Sequence, residues 1–362
     1  MKLGSRARVG IRHLAQAVRA TPPETVRLPR LAWFNVKRTL RIPTRGDRKF
    51  LLQEFGRKLE EGRIGTQCHI TVAGRDDGAG SQGLARMSAI CLAKRYGLTY
   101  AHTPFRGMQV SEGPHATDPY WPDEAWAATW ERIFNLGHGE VVAAECALPR
   151  VEIDDFMADR KWWSSPCLLA AGHFSMIVDH MPDAYFAVRQ KLREKFFLGS
   201  APKPRSDVVK VCAHLRRGVD VRPDNPETSY RFVDNDVMAK TILKTQSVLR
   251  ELGLASRVRL FSQGDEKDFV SLQDMGFELC LNTPTIPTFR EFVEADVFIM
   301  TKSSFSYAAA ILNDGVKLYD PFARAPMSDW IVRESDGGFN RDQLRACCAA
   351  AYDGRSTPNE DR

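Results

Sequence analysis

The sequence predicts an α/β protein built as two units, each a parallel sheet covered by helices. Three observations carry this. The chain has 362 residues, and at about 150 residues per domain that suggests two domains. Short apolar runs alternate with helix-length amphipathic stretches, and such spacing requires right-handed crossovers between parallel strands. The alternation is interrupted once, at GSAPKPRSD (199–207), where two prolines, a glycine and charges mark a linker.

Taken in order, residues 66–74 (TQCHITVAG) read as a buried strand, followed by the glycine-rich turn RDDGAGSQG. A helix is predicted from Leu84 to Tyr96, ending at Gly97, with Leu84, Met87, Ile90 and Cys91 on one stripe. LTYAHTPF is a second short strand, and 112–165 is loop-rich, with tryptophans at 121, 126, 130, 162 and 163. Those indoles read as core or as a platform for sugar stacking. Residues 175–198 read as helix. After the linker come a strand at VVKVCAHL (208–215), a polar loop to about residue 230, and the helix DNDVMAKTILKTQSVLRELG closed by Gly253. Next are a strand RVRLFSQ (257–263), a helix EKDFVSLQDMG, a strand FELCLN and a short helix FREFVEA. DVFIMTKSS forms a strand and turn, FSYAAAILN a helix, and VKLYDP (316–321) the last strand. The chain thus divides into a basic arm (1–49), an N-terminal α/β unit (50–202), a C-terminal α/β unit (203–325) and a helical tail (326–362), with a ligand cleft expected between the units.

Composition narrows the function classes. With 43% hydrophobic and 27% charged residues, the chain is of ordinary globular type rather than disordered. No apolar run approaches the ~18 residues of a membrane span. There is no apolar leader, so a cytoplasmic protein is expected. The eight cysteines include no CxxC pair and no zinc-finger spacing, which favours reduced thiols and no structural zinc. Residues 1–49 hold thirteen Lys/Arg against Glu24 and Asp47, a net of +11, so the rest of the chain carries −5 of the overall +6. Such an arm reads as a solvated leader, as a contact for the anionic inner face of a membrane, or as a transit peptide. Nucleic acid is the weaker partner, because regular aromatic interleaving is lacking.

Three constellations could carry chemistry. In CAHLRRGVD (212–220) a buried strand runs into His214, Arg216, Arg217 and Asp220. Paired guanidiniums at a strand end suit phosphate oxygens, although a local acid such as Asp220 could also answer Arg216. In TKSSFSYAAA (301–310) a strand leads into a helix opening near Ser304. Its first amides favour an anion, while Ser303 or Ser304 could simply cap it. In GAGSQ (78–82) the glycines allow close approach of backbone to a ligand or serve a tight turn, with Gly80, Ser81 and Gln82 following. Weaker signals are DND at 234–236, a metal-and-diphosphate pattern or a helix cap, and His138 with Glu140, an acid–base pair or a structured loop. Asp76, Asp77, His102 and His138 are the candidate proton acceptors.

These segments resemble the GDP-fucose-dependent fucosyltransferases. HLRRGVD is similar to their H-x-R-R-x-D stretch, GAGSQGLARMSAICLAKRYG to their N-terminal G-x-G-N-Q turn and helix, and ADVFIMTKSSFSYAAAIL to their S-S-F-S motif. The three fall in the family's order across roughly residues 70–320. The resemblance implies the GT-B architecture of two Rossmann-like domains and an inverting, metal-independent transfer of fucose from GDP-fucose to a glycan or glycoconjugate, with no cofactor. It implies that Arg216 holds the β-phosphate with Arg217 assisting, and that His214 and Asp220 line the nucleotide pocket. Ser303, Ser304 and Phe305 would close on the diphosphate, Asp265 would lie near the nucleotide, and Gly80, Ser81 and Gln82 would contribute from the acceptor-side unit. Asp77 and His138 are the catalytic candidates there. The chain departs from the family at Ser81, where the motif has Asn, and at Ala79, where one branch carries a Glu. The competing readings are a different nucleotide sugar on the same scaffold and a non-catalytic carbohydrate-binding or assembly protein.

Overall fold

The computed structural model describes residues 45–107, 124–203, 206–218, 221, 223–226 and 228–352. The first half runs α1 (Arg45–Glu60), β1 (Cys68–Val72), α2 (Ala79–Tyr96), β2 (Thr99–His102), α3 (Glu124–Phe134), β3 (Val141–Val142), β4 (Arg150–Glu152), α4 (Ile153–Ala158), β5 (Cys167–Ala171), α5 (Ser175–Val178) and α6 (Phe186–Phe196). The second half runs β6 (Val209–Leu215), α7 (Asn235–Glu251), β7 (Ser256–Ser262), α8 (Val270–Gln273), β8 (Glu278–Leu281), α9 (Thr285–Val293), β9 (Val297–Ile299), α10 (Ser304–Leu312), β10 (Val316–Tyr319), β11 (Ile331–Val332) and α11 (Arg341–Tyr352).

Among the described residues the strands form two parallel sheets, in the orders β3-β2-β1-β5-β4 and β11-β10-β9-β6-β7-β8. Each is doubly wound. In the first the winding reverses between β1 and β5, paired from Cys68↔Cys167 to Val72↔Ala171. In the second it reverses between β6 and β9, paired from Val211↔Val297 to Ala213↔Ile299. The predicted pair of parallel α/β units is therefore the observed architecture. No helix of the described residues is long and apolar enough to cross a membrane.

Several elements differ from the sequence expectation. β5 was not foreseen, although CLLAA lies between Pro166 and Gly172; it is fully buried at the centre of its sheet. α2 begins at Ala79 rather than Leu84, so GAGSQ is the first turn of a helix instead of a loop. That helix is buried from Ala79 through Ala93 apart from Ser81, the signature of a helix packed on all sides. α1 reaches back into the segment taken as a basic arm and buries Leu51, Leu52 and Phe55. The segment taken as a tail adds β11 beside β10 and buries Leu344 and Cys348 of α11 in the second core.

The halves do not stand apart across an open cleft along their whole length. Trp130 and Phe134 of α3 and Phe196 of α6 meet Phe289 of α9 at ring distances of 5.6, 5.0 and 5.9 Å. One apolar core runs continuously through both halves. Arg324 pairs with Asp179, and Arg189 with Asp329, across the same boundary. Trp126, Trp130 and Trp163 are buried, which answers the indole question in favour of core; Trp121 lies outside the described residues.

Candidate functional site

Open parallel sheets bind ligands beyond the carboxyl ends of their strands, where the winding reverses. In the second sheet that point lies between the ends of β6 and β9, where HLRR and TKSS lie side by side. Arg216 follows β6 directly and is half-buried. His214, buried on β6, bonds through Nδ1 to Ser306 Oγ at 2.5 Å, which ties β6 to the first turn of α10. Burial and then the Arg216 charge hold the His214 imidazole down at about 3, so it is neutral. Ser303 is the cap of α10, its Oγ accepting from the Phe305 amide at 3.2 Å. The first turn of α10 still presents amides with no partner inside the helix. Thr301, 2% exposed, holds a buried hydroxyl with no hydrogen-bond partner among the described residues. An unmet polar group at a strand end is uncommon.

Arg217 is occupied differently from the expectation that it assists at phosphate. It donates to Val233 O at 2.7 Å and to Asn235 Oδ1 at 3.0 Å, and stacks 4.0 Å over Phe232. It thus fastens the loop after β6 to the start of α7. Burial lowers it to about 10, partly offset by Asp234 and Asp268. Asp234 of the DND stretch stands at the cap position of α7 without a side-chain capping bond, while Asn235 bridges Arg217 and Asp268 O. Asp265 is exposed beyond β7 and pairs with Lys267 at 3.3 Å. Asp220 lies outside the described residues.

The other half contributes the opening of α2. A Cβ on Gly80 would stand 2.5 Å from Phe305 Cα and 2.6 Å from its nitrogen. The glycine serves the contact of one helix start with another, not the approach of a ligand as expected. The first turns of α2 and α10 therefore meet, and the carboxyl ends of β1 and β9 that feed them face a common region. Ser81 is half-buried there. Gln82, also expected at the ligand, is fully buried; its amide donates to Asp77 O and Arg106 O, and its oxygen accepts from Arg106 N. It stitches the loops after β1 and β2 together.

Asp77 is 41% exposed and pairs with Arg75, whose guanidinium also reaches Gly172 O and His173. His138 is exposed, and Glu140 bonds Lys191 and Lys195, so the His138–Glu140 pair does not form. The pair that does form is His102 with Glu131 at 2.8 Å, with Tyr100 on the other ring nitrogen at 2.9 Å. Burial pushes the Glu131 carboxyl up, but His102 and the Phe105 amide outweigh it and leave it below the usual range. Both nitrogens of His102 are thereby committed. Sequence reasoning missed Thr301, Ser306 and Arg75. Ser306 could have been found, because it lies one helical turn beyond Ser303 on a segment read as helix.

No protein-family model matches the sequence, and no curated protein matches it. Among solved structures the chain is similar to the fucosyltransferase NodZ from Bradyrhizobium, at 12% identity and TM-score 0.34, covering 75% of this chain and 97% of that one. It is also similar to the E. coli heptosyltransferase WaaC with ADP, at 11% identity and TM-score 0.34, covering 80% and 100%. A third is a glycosyl transferase family 9 protein from Veillonella parvula, at 9% identity and TM-score 0.36, covering 79% and 97%. These likenesses are distant, and what the site can do follows from its own residues.

Proposed function

We propose that the chain is a glycosyltransferase of GT-B type that takes its sugar from a nucleoside diphosphate, GDP-fucose being the first candidate donor. The observation that carries the reading is the pairing of Arg216 with the start of α10 at the reversal point of the second sheet. Breaking a sugar–phosphate bond grows negative charge on the leaving diphosphate. A fixed guanidinium and aligned amides already aimed at that charge bind the transition state more tightly than the ground state. Asp77, on the loop that leads into α2, is the carboxylate proposed to take the proton of the acceptor hydroxyl.

The test is thermal unfolding of the intact protein with GDP, UDP and ADP. A nucleotide at about a hundred times its Kd adds about 2.7 kcal/mol of stability, a shift of several degrees. GDP should produce that shift in the wild type and not in Arg216→Ala, which should melt normally when unliganded. Asp77→Asn should keep the shift and lose turnover. A response to UDP or ADP alone would replace the donor, and silence to all three would favour a non-catalytic carbohydrate-binding protein.

A further inference from the structure

A second cluster of positive charge lies in the first half, away from the β6–β9 reversal point. A pocket beyond the ends of β1 and β2 is lined by Val72, Ala73, Gly74, Arg75, Arg86, Thr103, Pro104, Arg106 and Arg150. Four of these are arginines and none is an acid. Two form a buried floor: the Arg75 side chain is 8% exposed and the residue Arg86 2%. The other two, Arg106 and Arg150, are exposed at the rim.

The balance of charge decides what such a pocket holds. Arg75 is answered by Asp77, and Arg150 by Glu152 at 3.3 Å. Arg86 is not answered this way. It donates to Thr103 O, Pro104 O and Gln82 O at 2.9, 2.7 and 3.0 Å, all neutral acceptors, and lies 4.2 Å over the Phe105 ring. Those bonds fix the guanidinium but leave its charge in place, and a buried uncompensated charge is costly. With Arg106 beside it, about two positive charges face the pocket beyond those their own carboxylates offset. Guanidiniums from four separate elements surround a tetrahedral oxyanion better than a planar carboxylate, and the excess matches a dianion.

We infer that this pocket binds a phosphate monoester, and that the acceptor of the transfer is a phosphorylated glycan or glycoconjugate whose phosphate docks here. The acceptor assignment rests on the glycosyltransferase reading; the phosphate site does not. Asp77 links the two, since its carboxylate holds Arg75 at the pocket floor while it stands on the loop feeding α2. A phosphate seated among the arginines would place a neighbouring sugar hydroxyl on the Asp77 side.

The experiment uses full-length Arg216→Ala, in which the proposed nucleotide site is disabled, and titrates inorganic phosphate against sodium chloride at matched ionic strength. Phosphate should raise the melting temperature saturably, and chloride should not. Adding Arg106→Ala and Arg150→Ala, both at exposed positions, should leave the unliganded melting temperature unchanged and weaken the phosphate response by at least about tenfold. In the wild-type background the same two substitutions should leave the GDP shift intact. A phosphate response indifferent to Arg106 and Arg150, or no saturable response, overturns the inference. Phosphate binding that depends on both arginines in a protein silent to every nucleotide would uphold the pocket and remove the glycosyltransferase reading instead. If both sites bind, phosphorylated and dephosphorylated forms of one acceptor glycan decide the acceptor role, and equal KM for the two overturns it.

Discussion

Gly80 and Gly78 are two residues apart and should answer the same substitution differently. A methyl on Gly80 would press into the backbone of Phe305, which has no rotamer to yield, whereas Gly78 has nothing within 4 Å and an ordinary negative φ. Gly80→Ala should cost about 1–3 kcal/mol by overpacking, and Gly78→Ala a few tenths, as read by urea midpoints. His214 makes a pH prediction at the same scale. Its folded value is depressed to about 3 by burial and Arg216, while the unfolded chain binds the proton near pH 6.5. The stability tied to its neutral form is thus fully present above about pH 6.5 and is lost progressively toward pH 3. The stability gap between the wild type and His214→Gln should narrow by a few kcal/mol over that range. A constant gap would show that His214 does not titrate between the two states.

The elements that carry the second half's site were the most legible. His214 and Arg216 were found on and just past a strand, and Ser303 at the start of a helix, because a β-branched run closed by charge and a serine cap before an apolar stretch are local signals. The first half was less legible for the opposite reason. GAGSQ carries the glycines of a turn, yet it is helical because burial against α10 overrides the local preference. The roles of Gln82 and Arg217 depend on loops 24 and 16–18 residues away, and no periodicity encodes such partners. The cap of α10 gives a test at this scale. Ser303→Ala removes the bond from the Phe305 amide and should cost about 1 kcal/mol, with a weaker GDP shift if the helix start frays. Arg217→Ala should mainly destabilise, and rescue by a lysine would be partial because a single ammonium cannot hold both Val233 O and Asn235.

For the whole molecule, one core shared by both halves predicts one cooperative transition. Calorimetry should give a single peak with matching van't Hoff and calorimetric enthalpies; two peaks would show that the halves melt apart. A chain starting at residue 45 keeps α1 and should fold, while deletion through residue 60 removes Leu51, Leu52 and Phe55 from the core and should not. The thirteen cations of residues 1–49 should bind full-length protein to anionic vesicles at low salt and release it as salt rises. Binding that ignores salt would remove that role. The rings that Trp130, Phe134 and Phe196 set against Phe289 also have a calorimetric meaning for ligands. A protein whose lobes swing shut buries fresh apolar surface, and its heat capacity of binding falls by more than the ligand's own area explains. Here the lobes are already joined when the chain folds, so a nucleotide should bring only its own small heat-capacity change. Its binding enthalpy should therefore vary little with temperature.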